Sequence, residues 1–187
     1  MRRLVIVALS ALMSVNAFAQ LFFETEPNNT RASADVVLSG NIAPWAGVGL
    51  LSLTANDSDF FKIRLNAGDW LTAITFPTGT NYFSPDTVMA LFDASGNTAI
   101  VFNDDAGSGF GSAIRWQADQ TGDYFIAITG YHSGGQNSIS YYEGATHSQS
   151  GSYILTVSVV PVPEPASMLA LGVGLAGLVG LRRRNRK

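Results

Sequence analysis

Apolar and polar positions alternate through most of the interior of the chain. Phe61, Ile63 and Leu65 fall on one side and Lys62 and Arg64 on the other. This period of two predicts a half-buried antiparallel strand over Phe60–Leu65. Short runs of the same character lie at Ala34–Leu38, Asn41–Ala43, Gly49–Leu53, Trp70–Phe76, Thr87–Phe92, Thr98–Asn103, Ala113–Gln117, Asp123–Thr129 and Tyr153–Val160. Clusters such as Asn56-Asp57-Ser58-Asp59 and Asn66-Ala67-Gly68-Asp69 separate them and predict turns. Thr98–Asn103 is expected to pair with Thr87–Phe92 as a hairpin. About eight or nine short strands without a sustained helical period predict an all-β fold, a single antiparallel β-sandwich or jelly roll. Residues 131–152 break the pattern. They are rich in Gly and Ser, carry both histidines, and read as a long flexible hairpin extension.

The two ends follow other rules. Met1-Arg2-Arg3, the apolar run Leu4–Val15 and Ala17-Phe18-Ala19 have the order of a secretory signal peptide, residues 1–19, with cleavage between Ala19 and Gln20. That order implies the Sec machinery and signal peptidase as partners. At the other end, Val162-Pro163-Glu164-Pro165 forms a hinge before an uncharged helix over residues 166–181 and a basic end, Arg182, Arg183, Arg184, Arg186 and Lys187. The apolar run is shorter than the ~20 residues of a full span. Its basic flank marks the membrane stop and is expected on the cytoplasmic side of the inner membrane. The domain plan is therefore residues 1–19 as signal, 20–160 as the β domain and 161–187 as the tail.

Charge changes the picture of the body. The whole chain has a formal net charge of -3. Between Gln20 and Val160 only Arg31, Lys62, Arg64 and Arg115 stand against thirteen acids. Such a surface repels phosphate backbones, so nucleic acid is not an expected partner. It suits hard cations, which take oxygen ligands. The chain has no cysteine, which excludes disulfides and thiolate metal sites.

Candidate chemistry is sparse. Glu24, Glu26 and Asn28 project to one side if their segment is extended and form half of an oxygen-rich cation site. Asp86, Asp93, Asp104 and Asp105 form a weaker acidic group. No Gly-x-Ser-x-Gly, His-Glu-x-x-His or Walker-type motif occurs, so the chain is expected not to be an enzyme. A small secreted hydrolase is the remote alternative. Aromatic residues are expected in the core, with Trp45, beside Pro44 and Gly47, and Tyr141 and Tyr142, in the Gly/Ser loop, as contacts if a ligand binds.

Two resemblances sharpen this reading. The order Glu24-Thr25-Glu26-Pro27-Asn28-Asn29, Asp57-Ser58-Asp59-Phe60-Phe61-Lys62-Ile63, Ala67-Gly68-Asp69, Asp86-Thr87, Asn103-Asp104-Asp105 and Thr121-Gly122-Asp123-Tyr124-Phe125 resembles the bacterial pre-peptidase C-terminal (PPC) domain. That family implies a secreted, non-catalytic β-sandwich. Its similarity to collagen-binding domains of clostridial collagenases implies structural calcium at Glu24, Glu26, Asn28, Asn29, Asp57 and Asp59. The tail resembles the PEP-CTERM sorting signal, also labelled an ice-binding protein C-terminal domain, a label that is no evidence of ice binding. It implies recognition by an exosortase in a Gram-negative envelope, cleavage near Pro163-Glu164-Pro165, and release or transfer to the cell surface or extracellular matrix, where exopolysaccharide is the expected companion. The function expected is that of a non-catalytic exported surface or matrix protein. A carbohydrate- or protein-binding module is the alternative.

Overall fold

The computed structural model describes residues 19–38, 43–79, 84–106, 109–162 and 172–174. The first eighteen residues, with Ala17, lie outside them. So do Asn41 and Ile42 of one expected strand, Pro163, Glu164 and Pro165 of the hinge, all but 172–174 of the expected tail helix, and the basic end. Residues 172–174 are helical. Among the described residues no helix is long and apolar enough to cross a membrane.

The described body is all-β, with ten strands in two five-stranded sheets. In chain order the strands are β1 (Ala19–Phe22), β2 (Asp35–Leu38), β3 (Trp45–Leu53), β4 (Ser58–Leu65), β5 (Trp70–Pro77), β6 (Thr87–Asp93), β7 (Val101–Asn103), β8 (Ala113–Gln117), β9 (Gly122–Gly130) and β10 (Gly151–Val160). One sheet has the order β1-β3-β10-β5-β8 and the other β2-β4-β9-β6-β7. The first is called sheet A here and the second sheet B. Pairings are antiparallel except β1 with β3 and β2 with β4, which are parallel. The expected hairpin of β6 and β7 is present, with Leu91 opposite Val101.

The period-two pattern does what it predicts. Leu51, Leu53, Leu71, Tyr153, Leu155 and Val157 from sheet A meet Phe61, Ile63, Leu65, Met89, Leu91, Ile126 and Ile128 from sheet B in one buried cluster. Trp45 belongs to this core. It lies on β3, is 7% exposed, and its indole nitrogen donates to the Gln20 side-chain oxygen at 3.1 Å. The glycines of β3 make room for it. A Cβ on Gly47 would meet Trp45 Cζ2 at 2.7 Å, and one on Gly49 would meet Phe22 Cε2 at 2.6 Å. Gly47 therefore serves close packing, not a loop, and the surface role expected for Trp45 does not survive.

The Gly/Ser stretch is also different from its expectation. It contains a short helix, α1 (Ile139–Glu143), which roofs the outer face of sheet B. Ile139, Tyr141 and Tyr142 pack there against Phe60, Val88, Ala90, Phe92, Phe125 and Ala127 in a second buried cluster. The rings of Phe92 and Tyr142 meet edge to face at 5.5 Å, and the Tyr142 hydroxyl donates to the Gln136 carbonyl at 3.1 Å. Burial pulls these side chains down on a sheet face that would otherwise be wet and greasy. Tyr141 and Tyr142 are thus core residues of a packed lid rather than exposed contacts.

Candidate metal centre

The chain leaves β1 at Phe22 and passes the start of β4, bending at Glu26, before the 3-10 turn at Arg31–Ser33. The Phe60 amide donates to the Asn28 carbonyl at 3.1 Å, which ties this N-terminal segment to β4. That tie brings Glu24 and Glu26 to Asp59. One oxygen from each lies within 4.8 Å of the others. An ion with Ca–O distances of about 2.4 Å separates opposed ligands by about 4.8 Å, so the three carboxylates fit a calcium-sized cation.

The hydrogen bonding around them is incomplete. Glu24 Oε1 accepts from the Ser52 amide at 2.9 Å and its hydroxyl at 3.1 Å, while Oε2 is buried without a partner. Glu26 Oε2 accepts from the Asn28 amide at 3.2 Å. Asp59 is 0% exposed. Its Oδ2 accepts from the Tyr153 hydroxyl, and its Oδ1 has no partner. Asn28 donates its side-chain amide to Asp35 Oδ2 at 3.2 Å, which turns its Oδ1 away. That oxygen and Asn29 Oδ1 are buried and unpartnered as well. Four buried oxygen acceptors without donors are costly unless something positive satisfies them.

Electrostatics points the same way. Burial pushes the Asp59 carboxyl well above its usual range; the Tyr153 hydroxyl opposes the shift, and Glu24, Asp57 and Glu26 add to it. Glu24 and Glu26 are also pushed up, chiefly by burial and further by neighbouring acids. Among the described residues no basic side chain enters the balance at any of the three.

Of the six residues expected to hold calcium, Glu24, Glu26 and Asp59 converge, and Asn28 and Asn29 present unpartnered oxygens. Asp57 does not join them. Its Oδ2 accepts from the Thr54 amide and hydroxyl at 3.0 and 3.1 Å, and its Oδ1 from the Ser58 amide at 3.0 Å. It caps its own turn, a role its residue type fills readily. His147, which the sequence places in a flexible extension, backs that turn. Its Nε2 lies 2.8 Å from the Asp57 carbonyl oxygen and 3.2 Å from the Gly130 amide nitrogen. His132 stacks on Tyr141 with ring centroids 3.7 Å apart. Among the described residues neither histidine is hydrogen-bonded to a carboxylate.

The weaker acidic group is smaller than expected. Asp86, Asp104 and Asp105 each bring an oxygen within 4.8 Å of the others. Gln136 donates to Asp104 Oδ2 at 3.0 Å. Asp93 is elsewhere, accepting from the Ser95 and Gly96 amides of its own turn, bonds that hold its carboxyl below its usual range.

Comparison with known proteins bears on both halves of the chain. Residues 57–130, from the Asp57 turn to the end of β9, match the family model of the bacterial pre-peptidase C-terminal domain. Residues 161–184 match the PEP-CTERM protein-sorting motif. The chain carries both signatures. The PEP-CTERM tail implies export and sorting to the cell surface. Among curated proteins no relative matches by sequence. Similar solved structures include PliG of Aeromonas hydrophila, a periplasmic lysozyme inhibitor of g-type lysozyme, at TM-score 0.43 and 14% identity over 67% of this chain and 96% of that one. The pre-peptidase C-terminal domain of the Bacillus anthracis collagenase gives 0.41 and 13% over 76% and 96%. CorA, a surface-associated copper-binding protein of Methylomicrobium album BG8, gives 0.38 and 12% over 75% and 98%. Likenesses of this size assign no activity to the chain.

Proposed function

We propose that this chain is a non-catalytic exported surface or matrix protein whose β-sandwich is stapled by a calcium ion. Glu24, Glu26 and Asp59 would hold the ion, with the side-chain oxygens of Asn28 and Asn29 as the further ligands. The observation that carries the reading is the buried Asp59 carboxylate, its Oδ1 unpartnered, within 4.8 Å of oxygens from two more carboxylates. The ion's role is mechanical. It would join the segment after β1 to β4, and so link the edge of sheet A to sheet B across the end of the sandwich. Delivery follows from the termini: export through the Sec machinery, cleavage by signal peptidase before Gln20, a transient hold in the inner membrane through residues 166–181 with the basic end in the cytoplasm, and exosortase processing near Pro163-Glu164-Pro165. Exopolysaccharide is the surrounding expected for such a product. The binding-module alternative loses Trp45, Tyr141 and Tyr142 as exposed contacts, because their side chains are enclosed.

Thermal melts in calcium and in chelator test the staple. A ligand at one hundred times its Kd adds about 2.7 kcal/mol, which raises the midpoint of a domain of this size by roughly 8 °C. Equal midpoints in the two conditions would overturn the proposal.

A further inference from the structure

The two outer faces of the sandwich are finished differently. The outer face of sheet B is roofed by α1. No such cover lies over sheet A among the described residues, and two adjacent rungs of its outward side chains are mostly apolar, with Ser52, Ser152, Thr72, Ser158, Arg115 and Gln117 at the two ends of the face. Leu50 of β3 stands opposite Ile154 of β10, which stands opposite Phe76 of β5. The next rung runs Leu21, Val48, Thr156, Ile74 and Ala113 across all five strands. Leu21 and Leu50 are each 64% exposed and Phe76 48%. An apolar face of this extent on a soluble domain marks an interaction surface.

Its charge says what fits there. The body carries nine more acids than bases, yet the five strands of sheet A contain no acid at all and one base, Arg115. The Arg115 guanidinium lies 4.3 Å over the Trp70 ring, at the rim. Two copies meeting through sheet B or the loops would bring acids together. Through the strands of sheet A they would not, the one carboxylate bonded to an outward residue being Glu24 beside Ser52, past the end of β1.

We propose that the outer face of sheet A is the interface of a homodimer, two copies packing sheet against sheet. Five strands at about 4.8 Å spacing and roughly 28 Å length give a face of about 650 Å² per copy. The total, about 1,300 Å², lies within the range of specific interfaces. A two-fold axis beside Ile154 is self-complementary, since it lays the Leu50 side of one copy over the Phe76 side of the other.

Sedimentation equilibrium on the full chain over a hundredfold concentration range reads this directly. The expected result is a monomer–dimer equilibrium. Thr156→Arg, at the centre of the face and directed away from the core, should weaken it roughly tenfold or more. Leu50→Asp should do the same, so the result does not rest on one variant. Ser140→Arg, exposed on α1, should leave it unchanged. The proposal is overturned by a monomer at every concentration. Association that ignores both face substitutions, as the apolar tail alone would produce, overturns it too. So does a monomer that binds a neutral polysaccharide such as cellulose through the same two residues.

Discussion

Asp59 is where the physics of single residues is sharpest. A buried carboxylate beside two others is destabilising when all three are ionised and becomes useful only when a cation arrives. Asp59→Asn keeps an acceptor for the Tyr153 hydroxyl and removes one charge. At neutral pH in chelator the variant should therefore melt at or above the parent, and it should lose the calcium increment; calorimetry with and without calcium separates the two effects. Asp86 gives a second handle. Burial, then Asp104 and Asp105, raise its carboxyl from the usual 3.8 to about 6. A group whose folded pKa is raised stabilises the fold while protonated, and that stability is lost as the pH rises through the folded value. The metal-free protein should thus weaken between about pH 4 and pH 6 as Asp86 ionises, in urea melts with chelator. Asp86→Asn should flatten that decline. Asp93 and Asp123 have lowered carboxyls and act in the opposite sense, at pH below their usual 3.8. Glu24 and Glu26 are legible in the sequence as two acids beside a proline, whereas Asp59 is reached only through the resemblance, since spacing does not show that β4 meets the N-terminal segment. Asp57 and Asp93 mislead for one cause: each satisfies its own turn, and spacing cannot show which oxygens a turn has already taken.

Elements show a similar division. The strands with alternating faces are readable nearly to their ends, and Ala113–Gln117 coincides with the expectation. β1 escapes a sequence reading because Ala19 and Gln20 carry the cleavage pattern, which masks a short edge strand. The helix within 131–150 escapes it because three packing residues are diluted among Gly and Ser. A five-residue helix has no stability of its own; α1 exists because sheet B needs a roof. Tyr142→Ala should cost about 3 kcal/mol or more, as large aromatic truncations in cores do, measured from the urea midpoint. It should also make residues 131–150 more open to proteolysis than in the parent, read by limited digestion of both.

The whole molecule joins an acidic sandwich to basic, apolar ends. If the tail is processed as proposed, mass spectrometry of protein extracted from the cell surface should find it ending near Pro163-Glu164-Pro165. Intact chain through Lys187 would contradict that processing. The topology of sheet A adds a matter of timing. Its middle strand, β10, is the last element of the body, flanked by β3 and β5. Without it, β1–β3 and β5–β8 have nothing to join them. If the chain is exported N-terminus first as proposed, its sandwich cannot close until residue 160 has crossed. By then the hinge and the apolar segment would have reached the membrane. Under that route the fold would be self-delaying: slack enough to thread through the export channel, and locking only when the sorting signal is in position to be read.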